Sequence, residues 1–225
     1  KLELYCSFQY EAIYLSGKGD DENFGGNCRF PVKTFDRAKE LLEHTNLQGR
    51  GVIYICDTVT IDGSETWSLP VATFPDARVM ICRDPDHKHN ESAQAATLTS
   101  NMIRVPAGAT LTTSDITIQM DTSPSADSRT VLVQPGATFN MNDGTRILGS
   151  ETTSTAVVGI GVDVQGAAGK KTTFTMTGGE IGYRSQGVRI KGVSYQPANT
   201  VFAMSGGAVL NNYQYSRGAP ISGDY

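Results

Sequence analysis

Asp20, Asp21 and Asn23 are the residues of this chain whose types and spacing best suit a metal ion. They lie between glycines within one predicted turn, and their carboxylate and amide oxygens are the ligands that calcium prefers. The segment does not follow the calcium-loop pattern that ends in a bidentate glutamate. The alternative interpretation is a polar turn in which the chain reverses. We therefore expect no cofactor, unless these three residues bind calcium.

His87 and His89 alternate within the charged segment 84–91. On a strand they would share a face, where two imidazoles could bind a transition metal or act as acid and base. Pro85 and the missing apolar alternation favour a solvated loop instead. The chain contains no Ser-His-Asp order, no G-x-S-x-G nucleophile elbow and no phosphate-binding loop.

Trp67, Tyr183 and Tyr195 are the aromatic candidates for ligand binding. An exposed indole or phenol ring offers a flat apolar face with a polar tip, which suits stacking against a sugar. The alternative for Trp67, the only tryptophan, is a buried position beneath the first turn of the fold. The two tyrosines could equally be covered by later elements of the chain.

The composition excludes nucleic-acid binding and membrane insertion. The 225 residues include 19 Lys and Arg against 23 Asp and Glu, which gives a net charge of -4. Nucleic-acid partners require clustered basic residues that neutralise phosphates. No run approaches the roughly 18 consecutive apolar residues that span a bilayer. The 24 glycines and an equally large number of threonines favour strands and turns over helices.

A repeated pattern, F-x-M-x-[D/G]-G, predicts the fold. Copies begin at Phe139, Phe174 and Phe202, and a degenerate copy begins at Leu111. A short strand with period-two alternation precedes each copy. Units of strand, turn and strand cannot bury an apolar face alone, so they must stack on their neighbours. We therefore predict an all-β fold, a right-handed single-stranded parallel β-helix, with rows of Phe and rows of Met stacked in its core.

One helix is predicted, near the start of the chain. Thr34 can cap a helix over residues 35–44, whose apolar residues fall on one face. Such a helix would cover the open end of the stack, where exposed strand edges invite aggregation. We expect one domain, with an N-terminal strand and capping helix in 1–50 and rungs in 51–225. We expect these rungs to continue beyond Tyr225 as part of a larger multidomain chain.

Four cysteines, Cys6, Cys28, Cys56 and Cys82, all lie in the first half of the chain. An even number is compatible with two disulfides in an exported protein, and the wide spacing argues against zinc. Cys56 and Cys82 end matching strands, so we expect them to be neighbours on adjacent rungs, as stacked thiols or as a bridge. Cys6 and Cys28 would then close the N-terminal segment.

The sequence AIYLSGKGDD at 12–21 is followed by NFGG at 23–26 and by PVKTF at 31–35, with Ala38. This arrangement resembles the N-terminal segment of right-handed parallel β-helix proteins of the pectate-lyase-like superfamily. The F-x-M-x-G-G rungs resemble those of large surface proteins of gut and other Gram-positive bacteria. The resemblance implies the fold and leaves the function open, because this superfamily includes lyases, hydrolases, adhesins and passive stalks.

For an enzyme, the resemblance implies polysaccharide β-elimination, with calcium held by carboxylates and an Arg or Lys that abstracts a proton. Arg184, Arg189 and Lys191 are the candidate bases, and Asp163 and Glu180 are the candidate ligands. Asp163 and Arg189 occupy equivalent places in their strands, so the alternative is that they pair across the sheet. The three-aspartate cluster of the superfamily's hydrolases is not found in the sequence.

We expect a non-enzymatic, extracellular or cell wall-attached β-helix domain that serves as an adhesin or scaffold. Its long flat face suits an extended polymer, so the expected partner is a glycan or a host-surface protein. The alternative is a fragment of a polysaccharide lyase or glycoside hydrolase, and any activity is expected to be lyase-like. The third interpretation is a passive spacer without a ligand.

Overall fold

The computed structural model describes residues 12–45, 48–62, 65–70, 74, 76–83, 92–95, 101–120, 128–149, 159–193, 199–210, 212 and 221–224. Its strands form three sheets in which all neighbouring strands are parallel. The chain passes from sheet A to sheet B to sheet C and then returns to sheet A one rung further along. This architecture is a parallel β-solenoid, and the prediction of an all-β parallel β-helix with one short N-terminal helix is confirmed.

Each sheet collects one strand from successive rungs of the solenoid. Sheet A contains β1 (Ala12–Leu15), β2 (Arg50–Ile55), β5 (Arg78–Arg83), β8 (Thr110–Ser114), β11 (Thr138–Met141), β14 (Thr172–Met176) and β17 (Thr200–Met204). Sheet B contains β3 (Val59–Ile61), β6 (Ser92–Ala95), β9 (Thr117–Met120), β12 (Arg146–Leu148), β15 (Glu180–Gly182) and β18 (Ala208–Leu210). Sheet C contains β4 (Trp67–Ser68), β7 (Asn101–Val105), β10 (Arg129–Val133), β13 (Ile160–Gln165), β16 (Gln186–Lys191) and β19 (Ile221–Asp224).

The repeated pattern places identical residues above one another in the core. Phe139, Phe174 and Phe202 lie opposite one another in sheet A, and their rings stack with centroid distances of 5.1 and 4.9 Å. The Met141, Met176 and Met204 column is in register beside them. Both predicted rows are therefore confirmed. Phe139 and Phe174 are fully buried, whereas Met204 on the last sheet A strand is 43% exposed.

Aliphatic columns from the other two sheets complete the core. Ile118, Ile147, Ile181 and Val209 are aligned in sheet B. In sheet C the aligned residues include Val131, Val162 and Val188, all fully buried. Parallel strands lie about 4.8 Å apart, so each column brings side chains of similar size into contact. The register therefore follows from the apolar repeat.

A glycine turn joins sheet A to sheet B on the later rungs. Gly144, Gly179 and Gly207 adopt φ values of 74°, 84° and 83°. At Gly179 a Cβ atom would also collide with the carbonyl oxygen of Thr145 on the rung before. Only glycine combines this left-handed conformation with so close an approach, which explains the last glycine of the repeated pattern.

The helix α1 (Phe35–His44) covers the N-terminal end of the solenoid. Thr34 is its N-cap, and the Thr34 hydroxyl accepts a hydrogen bond from the backbone N–H of Arg37 at 3.2 Å. Phe35, Ala38 and Leu42 are buried. The Phe35 ring stacks on Trp67 with a centroid distance of 4.5 Å. The predicted cap, helix bounds and covering role agree with the structure.

A disulfide joins Cys28 to Cys56, with Cα atoms 6.1 Å apart, and ties the N-terminal segment to the first complete rung. The expected pairing of Cys28 with Cys6 is therefore wrong. Cys6 lies outside the described residues. The strands β2 and β5 are neighbours as expected, but Cys82 lies opposite Tyr54 rather than Cys56. Cys82 is buried, with 7% exposure. The expectation failed because the register is set by the apolar residues and not by the strand ends.

Candidate functional site

The predicted calcium residues form the turn that positions α1. Asp21 accepts hydrogen bonds from the backbone N–H groups of Lys33 and Thr34 at 2.8 and 2.9 Å, and from the Thr34 hydroxyl at 2.8 Å. Asp20 accepts from the backbone of Glu22. The Asn23 amide donates to the carbonyl of Pro31 at 2.9 Å. These contacts fit the polar-turn alternative, in which Asp21 holds the segment that leads into the helix.

The electrostatics of Asp21 follow from these donors. Burial alone would raise the pKa of the Asp21 carboxyl, but hydrogen bonds from Thr34 and Lys33 and the Arg37 charge outweigh it and lower the pKa. Within the described ranges, no group of three or more His, Cys, Asp or Glu side chains could hold a metal ion. Calcium binding at Asp20, Asp21 and Asn23 stays a prediction.

Asp163 is the centre of a buried ion cluster in sheet C. Arg189 on β16 binds it with two hydrogen bonds of 2.9 and 2.8 Å, and Arg129 on β10 binds it at 2.6 Å. Gln165 adds a fourth donor at 3.1 Å. The Asp163 side chain is fully buried, and those of Arg129 and Arg189 are 19% and 13% exposed. Asp163 and Arg189 are direct partners in the register, as the cross-sheet alternative predicted.

Four donors bind the Asp163 carboxylate, three at Oδ2 and one at Oδ1. Burial would raise the pKa of Asp163, but the hydrogen bonds and charge of Arg189 and the hydrogen bonds of Arg129 and Gln165 lower it overall. The carboxylate is therefore ionised and held by donors from three neighbouring strands. While this cluster is intact, the two arginine charges beside the carboxylate would repel a calcium ion.

The other candidate lyase residues do not join this cluster. Glu180 lies on sheet B and pairs with Arg146 at 3.2 Å. Arg184 is fully buried in the turn after β15 and donates to the carbonyl oxygen of Leu148 at 2.6 Å. Burial lowers the pKa of Arg184 to about 9. Lys191 ends β16 beside Gln165. The five residues are thus divided between two sheets and a turn.

The aromatic candidates have different surroundings. Trp67 is 4% exposed and stacks beneath α1, so the buried alternative applies and its ring offers no platform to a ligand. Tyr183 is half-buried in the turn after β15, with a φ of 57°. Tyr195, His87 and His89 lie outside the described residues.

Sheet A presents an ordered polar surface that the sequence reasoning missed. Successive residues of β8, β11 and β14 alternate between buried and partly exposed. Backbone hydrogen bonds extend the register one residue past β11 and β14. The outward residues form three aligned triplets. The polar grid consists of Thr110, Thr112 and Ser114; Thr138, Asn140 and Asn142; and Thr173, Thr175 and Thr177.

The polar grid contains hydroxyl and amide groups and no charge. Asn140 donates to the Thr112 hydroxyl at 3.4 Å, and the Thr177 hydroxyl donates to Asn142 at 3.3 Å. Seven of its nine residues carry a hydroxyl, and six of these are threonines, whose branched Cβ restricts the side-chain rotamer. Charged side chains border the grid at Arg78, which lies opposite Thr110 in the register, and at the corners of the solenoid, at Asp115 and Asp143 and at Lys170 and Lys171. The signal in the sequence was the polar residue between the core Phe and Met in the first two full copies of the repeated pattern, Asn140 and Thr175.

The chain matches no protein-family model, and it shows no significant similarity to a curated protein or a solved structure. The family resemblance therefore rests on the N-terminal segment and the repeated pattern. In the part of the chain that the structure describes, no helix is long and apolar enough to cross a membrane.

We predict that Asp163→Asn destabilises the fold by about 3–5 kcal/mol, because it leaves two largely buried arginines without their counter-charge. The effect is measured as the free energy of unfolding in urea at neutral pH. Asp143→Asn, in the exposed turn after β11, is the matched control and should change stability by less than about 0.5 kcal/mol.

The Asp163 cluster also predicts a pH dependence. A carboxyl whose pKa is lower in the folded chain stabilises the fold above its unfolded pKa and loses that contribution as the pH falls through the folded value. The wild type should therefore lose stability below about pH 4, and Asp163→Asn should lose less over the same range. Equal acid sensitivity of the two proteins would contradict the assigned ion cluster.

We predict that Asp21→Ala lowers the free energy of unfolding by about 1–2 kcal/mol, because it removes the acceptor for three donors beside the helix N-terminus. Asp20→Ala removes a single exposed hydrogen bond and should have a smaller effect. The difference between Asp21→Ala and the wild type should be the same in excess calcium and in EDTA. A calcium-dependent stabilisation of the wild type that Asp21→Ala abolishes would instead show a calcium site.

Proposed function

We propose that this chain is a non-enzymatic β-helix domain of a bacterial surface protein, serving as an adhesin or scaffold that binds glycan on the outer face of sheet A. The pectate-lyase-like resemblance of the N-terminal segment and the Gram-positive resemblance of the rungs belong to this proposal. So does an extracellular or cell wall-attached location, which the Cys28–Cys56 disulfide supports, since disulfides persist in oxidising compartments.

The polar grid is the observation that carries the proposal. Its nine residues offer donors and acceptors in a fixed array on a continuous sheet, and sugars are recognised by such uncharged hydrogen-bonding groups. Restricted threonine rotamers reduce the entropy that a ligand must overcome on binding. A passive spacer gives no reason for nine successive outward positions to be polar and uncharged.

The enzyme alternative has less support from the described residues. The Arg189 guanidinium is hydrogen-bonded to the Asp163 carboxylate, so neither group is available to a substrate. Arg184 is enclosed by the protein. A lyase needs a base and a stabilising group that face a common substrate position. Breaking the Asp163 cluster to free such a group would leave buried charges without partners, which is strongly destabilising.

The test is binding of the purified chain to a glycan array, with calcium and with EDTA. We expect a specific hit that a Thr112→Lys/Thr175→Lys double variant weakens by about tenfold or more, because the ligand would then bury unpaired charges. Thr60→Lys, at an exposed position of β3 on sheet B, is the matched control and should bind as the wild type does. Circular dichroism would verify that all three proteins are folded.

Three outcomes would contradict the proposal in different ways. Absence of binding across the array would favour the spacer or a protein-binding module such as a host-surface adhesin. A ligand that is shortened during incubation would establish a lyase or hydrolase. Equal losses in the sheet A variant and the sheet B control would place the glycan site away from the polar grid.

A further inference from the structure

Part of the outer face of sheet A stays uncharged beyond the polar grid. Two outward columns cross the strands side by side and contain no Asp, Glu, Lys, Arg or His. The uncharged strip consists of the column Ala12, Val52, Met80, Thr112, Asn140, Thr175 and Ala203 and the column Tyr14, Tyr54, Cys82, Ser114, Asn142 and Thr177. With seven strands in the sheet, its length along the solenoid axis is about 29 Å.

The two ends of the uncharged strip differ in chemistry. Tyr14 and Tyr54 are half-buried neighbours on β1 and β2, with ring centroids 5.2 Å apart. Beside them, Val52 and Met80 are partly exposed. Cys82 is buried, so Met80 forms the surface between the tyrosine pair and the polar grid. The strip therefore runs from an aromatic and apolar end to a hydrogen-bonding centre.

We infer that the ligand is a linear, uncharged polysaccharide that lies along the solenoid axis and contacts the tyrosine pair and the polar grid at the same time. This inference rests on the proposed glycan binding. A flat face cannot enclose a small sugar as a pocket does, so a mono- or disaccharide would make few contacts. A longer chain gains affinity by engaging both ends of the strip in one binding event.

The strip itself offers an acidic polymer no counter-charge. No lysine, arginine or histidine lies in either column of the strip. The two arginines of the adjacent outward column, Arg50 and Arg78, share the single carboxylate of Asp76, which leaves a net positive charge beside the aromatic end only. Along the rest of the strip a polyuronate would have to bury carboxylates against hydroxyl and amide groups, which is unfavourable without cations to match them. An uncharged chain has no such penalty.

The experiment is calorimetric titration with β-1,4-linked oligosaccharides of glucose, N-acetylglucosamine and mannose, from the disaccharide to the octasaccharide. In at least one series we expect the affinity to rise about tenfold or more from disaccharide to hexasaccharide and then to level off. Tyr54→Ala should remove most of that gain and leave the disaccharide affinity within about twofold, because it acts only on the aromatic end. Oligogalacturonates of equal length should bind more weakly.

Two further variants separate this inference from the proposed function. Asn140→Lys, in the centre of the polar grid, should weaken short and long oligosaccharides alike, whereas Tyr183→Ala, away from sheet A, should change neither. The inference of a polysaccharide along the solenoid axis would be overturned by affinity that is independent of chain length, or by a Tyr54→Ala variant that binds as the wild type does. Either result would leave glycan binding itself intact. Absence of binding by every series, together with a silent array, would overturn both.

Discussion

The parallel register between successive rungs is the constraint on which the rest of this structure depends. Each sheet A strand places an apolar residue directly above the equivalent residue of the previous rung, and the stacked rings of Phe139, Phe174 and Phe202 are its clearest expression. A slip of one residue would turn every core side chain outwards. The turn at Gly179 has no room for a Cβ atom. This close approach further restricts the path of the chain between sheets A and B.

The same register orders the outside of the solenoid. Because strand residues alternate between faces, a fixed row of Phe and Met inside also fixes the alignment of the outward residues. The alignment of the polar grid is thus a consequence of core packing, and its hydroxyl groups are held by a sheet rather than by loops. In sheet C the register instead aligns Asp163 with Arg189. Together with Arg129, these two side chains form a buried ion cluster that links three strands.

The sequence was sufficient to predict what repeats. Phe139, Phe174 and Phe202 share spacing and neighbours, and Thr34 begins a helix by ordinary capping chemistry, so columns and cap could be derived from local patterns. What depends on three-dimensional proximity could not be derived in this way. Cys28 meets Cys56 because the N-terminal segment folds back on the first rung, and Arg129 reaches Asp163 from a strand 34 positions earlier. Trp67 is buried beneath α1, with its ring stacked on Phe35.

A double-mutant cycle between Phe139 and Phe174 tests the register most directly. Free energies of unfolding would be measured for Phe139→Leu, Phe174→Leu and the double variant, with Phe35→Leu combined with Phe174→Leu as a distant control pair. Stacked rings in adjacent rungs should give a coupling energy of about 0.5–1.5 kcal/mol, and the distant pair should be additive within about 0.5 kcal/mol. Additivity in both cycles would contradict the stacked register and, with it, the alignment of the polar grid.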